Sequence, residues 1–228
     1  MITPHYSMAL YAIGDIHGCI TALKTIFKEM AFEKGDTIVC LGDYIDRGPD
    51  ARGVIKFLLE QEKVLDLVFM KGNHEIMMMD ARSNQTELNF WLQFGGDQVL
   101  ESYCIVDMRD WADWIDDEHW EFIERGESYV EIGDYIFVHA GLRPGIPLKH
   151  QAEHDLFWNK YVVPDQYKEG KTVICGHTSR KNGKVHDFGH TICIDTYAYG
   201  GQWLTCLNIE TKAYLQANED GETQSGKL

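Results

Sequence analysis

Six side chains able to hold a metal ion stand at comparable places along the chain. Asp15, His17, Asp43, Asn73, His139 and His177 each lie at or just past the end of a short apolar run, in LYAIGDIH, TIVCLGD, LVFMKGN, YIFVHAG and TVICGHT. All six offer oxygen or nitrogen. Mixed carboxylate, amide and imidazole donors suit manganese, iron or zinc, and the lack of thiolates among them argues against a structural zinc site. Six ligands exceed what one ion needs. Two divalent cations about 3.5 to 4 Å apart can clamp both the attacking and the leaving oxygen of a phosphoryl transfer. Cations that close require a bridging carboxylate, and Asp43, on the middle of the first three predicted strands, is placed to bridge. Asp15 and His17 share a face because alternate residues of an extended segment do, and Gly14 and Gly18 are expected to let the backbone crowd the ion.

The elements that would position these residues follow from the apolar spacing. Each short run reads as a buried strand that stops at a polar or glycine-rich turn. Helical patterns cover residues 19–32 and 49–61, the second opened by Pro49 at a first helical position. Asp15 and Asp43 are 28 residues apart and Asp43 and Asn73 are 30 apart, the length of successive β-α-β units. Their strands are therefore parallel, with carboxyl ends along the edge where open α/β sheets place ligands. The segment 86–126 reads as a helical insertion rich in aromatics: Phe90, Trp91, Phe94, Trp111, Trp114, Trp120 and Phe122. Their spacing predicts a packed core rather than a binding surface. From residue 127 strands return, SYVEI and DYIFVHA turning at Gly133-Asp134, then TICIDTY, WLTCLNI and AYLQA as a closing antiparallel portion. The polar tail, 218–228, is expected to fray. The fold class is α/β, a sandwich of mixed sheets flanked by helices, in one domain over 1–228.

Composition narrows the function. The chain has 228 residues, 44% of them hydrophobic, enough for a sizeable core. Its net charge of −15 opposes nucleic-acid backbones and anionic membranes as main partners, because both need basic patches. The start MITPHYSMAL lacks the basic and apolar regions of a signal peptide, and no run approaches the roughly 20 apolar residues of a membrane span. A cytoplasmic monomer is expected. The six cysteines are scattered without a C-x-x-C pair and read as buried thiols. His5, His119, His150, His154, His186 and His190 have no strand-end context and read as surface or hydrogen-bonded residues.

In order along the chain, GDIHG, GDYIDRGPD, GNHE, HAG and GHT resemble the signature motifs of the metal-dependent phosphoprotein phosphatases, a family of the calcineurin-like metallophosphoesterase superfamily. The likeness runs from Leu10 to Leu207 and is greatest to compact bacterial and bacteriophage serine/threonine phosphatases of the lambda type. It implies a first metal on Asp15, His17 and Asp43, a second on Asp43, Asn73, His139 and His177, manganese as the first choice with iron or zinc as alternatives, and a bridging hydroxide as nucleophile. It further implies that Arg47 grips phosphate through its planar fork, with Asn73 beside it. His74 would donate a proton to the leaving oxygen, and Asp46 would orient this histidine and raise its proton affinity. Two dications with Asp15, Asp43 and Arg47 sum to about +3, attracting phosphate within an acidic surface. One position departs from the family pattern. In LFWNKY, Lys160 stands where a second phosphate-binding arginine is expected, and lysine keeps the charge but lacks the fork. Arg143, in HAGLRPG, is a candidate to compensate, and Tyr199 a candidate aromatic neighbour.

The substrate ranking expected from these residues puts phosphate monoesters first, as phosphorylated proteins or small esters. Symmetrical diadenosine tetraphosphate hydrolysis comes second, because it uses the same motifs on a phosphoanhydride. A non-catalytic phosphoprotein binder ranks third, opposed by intact Asp46 and His74 and all six ligands.

Overall fold

In the computed structural model, which describes residues 8–228, the first three strands are apolar at every position that matters because both of their faces are covered. His5 lies outside the described residues. Strands β1 (Leu10–Ile13), β2 (Thr37–Cys40) and β3 (Asp66–Phe69) pair in parallel, with Ile13 opposite Cys40 and Cys40 opposite Phe69. Helices α1 (Ile20–Met30) and α2 (Ala51–Gln61) form the two crossovers. Asp50 caps α2 by accepting from the Gly53 amide at 2.7 Å. Pro49 thus precedes the cap instead of occupying the first turn, because the aspartate satisfies an orphan amide that proline could only avoid.

After α3 (Asn73–Ala81) the chain makes the helical insertion: α4 (Gln85–Trp91), a turn over Leu92–Gly96 kinked at Gly95, α5 (Asp97–Ser102), a 3₁₀ turn and α6 (Asp117–Glu124). Strands β4 (Tyr129–Ile132) and β5 (Tyr135–Val138) form the expected hairpin. The remaining strands are β6 (Thr172–Cys175), β7 (His186–Asp187), β8 (Thr191–Cys193), β9 (Leu204–Asn208), β10 (Ala213–Ala217) and β11 (Thr223–Lys227).

Two mixed sheets result, ordered β11-β10-β9-β1-β2-β3 and β4-β5-β6-β8-β7. Ala12, Val39, Leu41, Phe137, Ile174, Ile192 and Leu207 fill the space between them. The alternate residues Ile13, Ile38 and Cys40 face α1, α2 and the insertion. A third cluster, including Val138, Leu156 and Val173, covers the outside of the second sheet. Strand β2 is central among the first three, as the β-α-β spacing requires.

Two expectations are corrected. TICIDTY does not join the antiparallel closing portion: β8 runs parallel to β6 in the other sheet, where Ile192 and Ile194 enter the core between the sheets. The polar tail does not fray. Strand β11 pairs with β10 from Ala213↔Lys227 to Ala217↔Thr223, and Glu219 accepts from the Ala22 amide of α1 at 2.7 Å. Ladder bonds need backbone donors and acceptors, not apolar side chains, so a polar segment can serve as an edge strand.

Candidate active site

The parallel pairing brings the loops after β1, β2 and β3 to one edge, and the parallel pair β5 and β6 delivers two more loops to the same place. Asp43 sits at the centre. Its Oδ2 lies 3.4 Å from His17 Nε2 and its Oδ1 lies 3.4 Å from His139 Nε2. Asp43 belongs to both groups of potential metal ligands among the described residues, His17–Asp43–His74 and Asp43–His139–His177, each with donor atoms within 4.8 Å of one another. Asn73 completes the second group, its Oδ1 3.0 Å from His139 Nε2.

Ring orientation is fixed from behind. His17 Nδ1 donates to the Ile45 carbonyl and His139 Nδ1 to the Leu41 carbonyl, both at 2.8 Å. Each ring is thereby held in the tautomer that aims an Nε2 lone pair at Asp43. His177 is turned the other way, its Nε2 donating to the Trp158 carbonyl at 3.0 Å, which leaves the Nδ1 lone pair free to ligate. Burial pushes all three imidazoles down, His139 and His177 to about 3 and His17 well below its usual value. They are neutral at pH 7, the form that ligates.

Asp15 supplies a direct test of fit. Its Oδ2 accepts from the His177 amide at 2.9 Å, while its Oδ1 is buried without a hydrogen-bond partner among the described residues. A buried carboxylate oxygen left alone costs on the order of 1–3 kcal/mol. Burial, then the charges of Asp195 and Asp43, push the Asp15 carboxyl well up. Several buried carboxylates facing neutral imidazoles make a donor set that divalent cations complete, so the residues present fit a two-metal centre.

Arg47 Nη1 donates to His17 Nε2 at 3.1 Å, and its guanidinium lies 4.6 Å from the centre of the Tyr199 ring. His74 Nδ1 is 2.5 Å from Asp46 Oδ2. Asp46, fully buried, also takes the Trp91 indole N–H on both oxygens at 2.9 and 3.0 Å. Against the sequence expectation, burial outweighs nearby charge at His74 and pushes it down to about 4, while burial pushes Asp46 well up. Both shifts oppose separated charge on the pair.

A cleft of about 450 Å³ opens over these groups, lined by Asp43, Arg47, Asn73, His74 and His177 together with Phe90, Phe94, Trp158, Lys160 and Tyr199. Lys160 is thus on the cleft wall. Arg143 is not, since it is solvent-exposed and ion-paired with Asp155 at 3.1 Å. Gly14 and Gly18 serve backbone packing rather than an ion: a Cβ on Gly18, whose φ is +66°, would lie 2.9 Å from the Gly48 carbonyl. His17, Asp43, Asp46, Arg47 and His177 themselves have positive φ, between 45° and 68°. Such backbone is costly for residues with a side chain and concentrates at functional sites.

Sequence reasoning missed five contributors. Glu75 accepts from the amides of Asp43, Tyr44 and Gly72 at 2.8 to 2.9 Å, tying two ligand loops together. Its signal was present as glutamate at the third position of α3. Asp195 follows β8 as the ligands follow their strands, and is buried beside Asp15. Trp91 locks Asp46. Phe90 and Phe94 leave the core and pack against each other at the cleft, ring centres 4.9 Å apart and planes tilted by 55°.

Comparison with known proteins agrees with this geometry. The sequence model for "Calcineurin-like phosphoesterase" matches residues 8–205. Serine/threonine-protein phosphatase 1 of Salmonella typhimurium is 39% identical over 89 residues, covering 39% of this chain and 39% of that protein. The symmetrical bis(5'-nucleosyl)-tetraphosphatase of Pseudomonas fluorescens is 28% identical over 148 residues, covering 64% of this chain and 46% of the relative. The chain thus spans less than half the length of these two relatives. A crystal structure of a proposed diadenosine tetraphosphatase shares the fold, with a TM-score of 0.66 at 19% identity, covering 99% of this chain and 96% of that one.

Proposed function

The chain belongs to the calcineurin-like phosphoesterase family, and from that premise we propose that it hydrolyses dinucleoside tetraphosphates of the diadenosine type symmetrically, at a two-metal site. One observation carries the choice of substrate: the exposed Phe90–Phe94 pair lines the same cleft as Arg47 and His74. Helical spacing alone assigns these rings to the core and puts phosphate monoesters first. Their position beside the metal ligands reverses that order, because a base needs an aromatic face to stack on and a phosphoryl group does not. The symmetrical tetraphosphatase of Pseudomonas fluorescens, matched over 64% of this chain, supports the same choice.

Asp15, His17 and Asp43 would hold one divalent cation, and Asp43, Asn73, His139 and His177 the other. When bound, the two cations supply Lewis acidity, bringing the pKa of water toward neutrality and offsetting charge on phosphoryl oxygens. Arg47 turns its fork from His17 to two oxygens of the attacked phosphate, with the guanidinium over the Tyr199 ring. Lys160 adds a point charge at the cleft wall. His74, oriented by Asp46 and Trp91, holds at Nε2 the proton that passes to the departing bridging oxygen. One water is consumed: its oxygen bonds to phosphorus, the central P–O–P bridge breaks, and two nucleoside diphosphates leave.

Turnover of diadenosine tetraphosphate, a phosphoserine peptide and p-nitrophenyl phosphate, with manganese, magnesium, zinc and iron, tests the proposal. The expected result is kcat/KM for the dinucleotide at least about a hundredfold above the phosphopeptide, since two stacked bases add roughly 1–3 kcal/mol each. The opposite ranking establishes the protein phosphatase reading, which the 39% identical Salmonella typhimurium phosphatase supports.

A further inference from the structure

Across Arg47 from the metal ligands lies a second hollow, of about 420 Å³, lined by Arg47, Gln93, Phe94, Gly95, Gln98 and Tyr199. It shares Arg47, Phe94 and Tyr199 with the catalytic cleft. The chemistry on its walls differs from that of the cleft. Among the described residues Arg47 is its only charged group, and Arg47 already faces His17. The other polar side-chain groups are the Tyr199 hydroxyl and two carboxamides, Gln93 and Gln98, each carboxamide presenting a donor and an acceptor side by side. Aromatic rings complete it, with Tyr199 half-buried and Phe94 41% exposed.

Among the described residues no second cation stands here to hold an anion, and an aliphatic side chain would make no use of the two carboxamides. A heteroaromatic ring with adjacent donor and acceptor atoms satisfies both features. Glutamine pairs two-fold with the N6 and N7 positions of adenine, and aromatic side chains stack on the ring face.

The hollow is also tied to the phosphate grip. The Arg47 amide donates to the Gly95 carbonyl at 3.1 Å. Gly95 has φ +104°, and a Cβ there would lie 2.6 Å from the Arg47 nitrogen. The turn that carries Gln93 and Phe94 is therefore fastened to the backbone of the arginine. A base held in this hollow places its phosphates on Arg47.

We propose that this hollow is a purine subsite, in which Gln93 and Gln98 read the edge of an adenine and Phe94 and Tyr199 flank its faces, for one nucleoside half of the dinucleotide. The inference rests on the dinucleotide reading above, and two measurements keep their failures apart. The first compares kcat/KM for diadenosine and diuridine tetraphosphates in the manganese-loaded protein and in a Gln93→Leu/Gln98→Leu variant. The wild type is expected to prefer the adenine substrate by roughly tenfold or more. The variant is expected to lose that preference through KM, with kcat little altered. The second titrates ADP and inorganic pyrophosphate into the same proteins. ADP should bind the wild type about ten- to a hundredfold more tightly than pyrophosphate, the worth of stacking one base, and the variant should lose most of that margin. Dinucleotide turnover with no base preference, or with a preference the variant retains, overturns the subsite and spares the reaction. ADP selectivity lost in the variant, without dinucleotide turnover in the wild type, overturns the reaction and spares the subsite.

Discussion

Glu75→Gln exchanges one oxygen for an NH2 group and should destabilise the protein well out of proportion to its size. In the native chain Glu75 Oε2 accepts from the Asp43 and Gly72 amides at 2.9 and 2.8 Å, and Oε1 from the Tyr44 amide at 2.8 Å. The group is 1% exposed, so no water can substitute. A carboxamide in its better orientation keeps the first two bonds and sets its own N–H groups against the Tyr44 amide. One charge-assisted bond is lost, about 1.5–3 kcal/mol, and a buried donor is left unmatched, about 1–3 kcal/mol. These figures overlap, and the net is about 2–4 kcal/mol, or roughly 5–15 °C in Tm for a chain of this size. Urea unfolding of chelated wild-type and variant protein measures it without interference from bound metal. Because the loop that carries Asp43 loses its tether at the adjacent Tyr44 amide, manganese affinity should also fall by about 10- to 100-fold. An unfolding free energy within about 0.5 kcal/mol of wild type, the range of an inconsequential surface change, would refute the idea that Glu75 holds the two loops.

Asp43→Asn should reduce bound manganese from two ions to one or none and abolish turnover, as measured by metal analysis after gel filtration; full activity in exhaustively chelated protein would remove the metals from the chemistry. His74→Asn should lower kcat by about 10²- to 10⁴-fold while metal content stays near wild type, and the loss should be smaller for p-nitrophenyl phosphate, whose leaving group needs no proton. Lys160→Ala should cost about ten- to a hundredfold in kcat/KM, the worth of one charge-assisted bond, whereas Arg143→Ala, with its guanidinium on Asp155 outside the cleft, should fall within twofold of wild type. Equal losses in the two alanine variants would contradict that division.

The convergence of Asp15, Asp43 and Asn73 was legible because each lies directly after a strand in a β-α-β run, where sequence spacing alone fixes direction and edge. The same spacing put β2, and with it Asp43, between its neighbours. Partners remote in sequence were not legible. Trp91 meets Asp46 across 45 residues, and Asp195 reaches Asp15 only because β8 crosses into the second sheet. The aromatic insertion misled for a local reason. Helical periodicity assigns Phe90, Trp91 and Phe94 to one packed segment, but Phe90 and Phe94, four residues apart, share a helix face that Trp91 does not, and the helix breaks at Gly95, whose φ is +104°. Trp91 turns inward, and Phe90 and Phe94 turn outward. The tail misled because composition measures apolar content, whereas β11 is held by backbone pairing.

The left-handed backbone at His17, Asp43, Asp46, Arg47 and His177 sets evolutionary pressure at odds with itself. Glycine relieves such a conformation wherever it occurs, so at these five positions the residue that best suits the main chain is one that carries no ligand, no fork and no orienting carboxylate. A library selected for heat resistance alone, without metal or substrate, should therefore accumulate glycine or asparagine here. Its survivors would be more robust and inert. Selection for turnover would restore the original residues and lower the melting temperature, making this short set of positions the place where the durability and the activity of the chain are traded against each other.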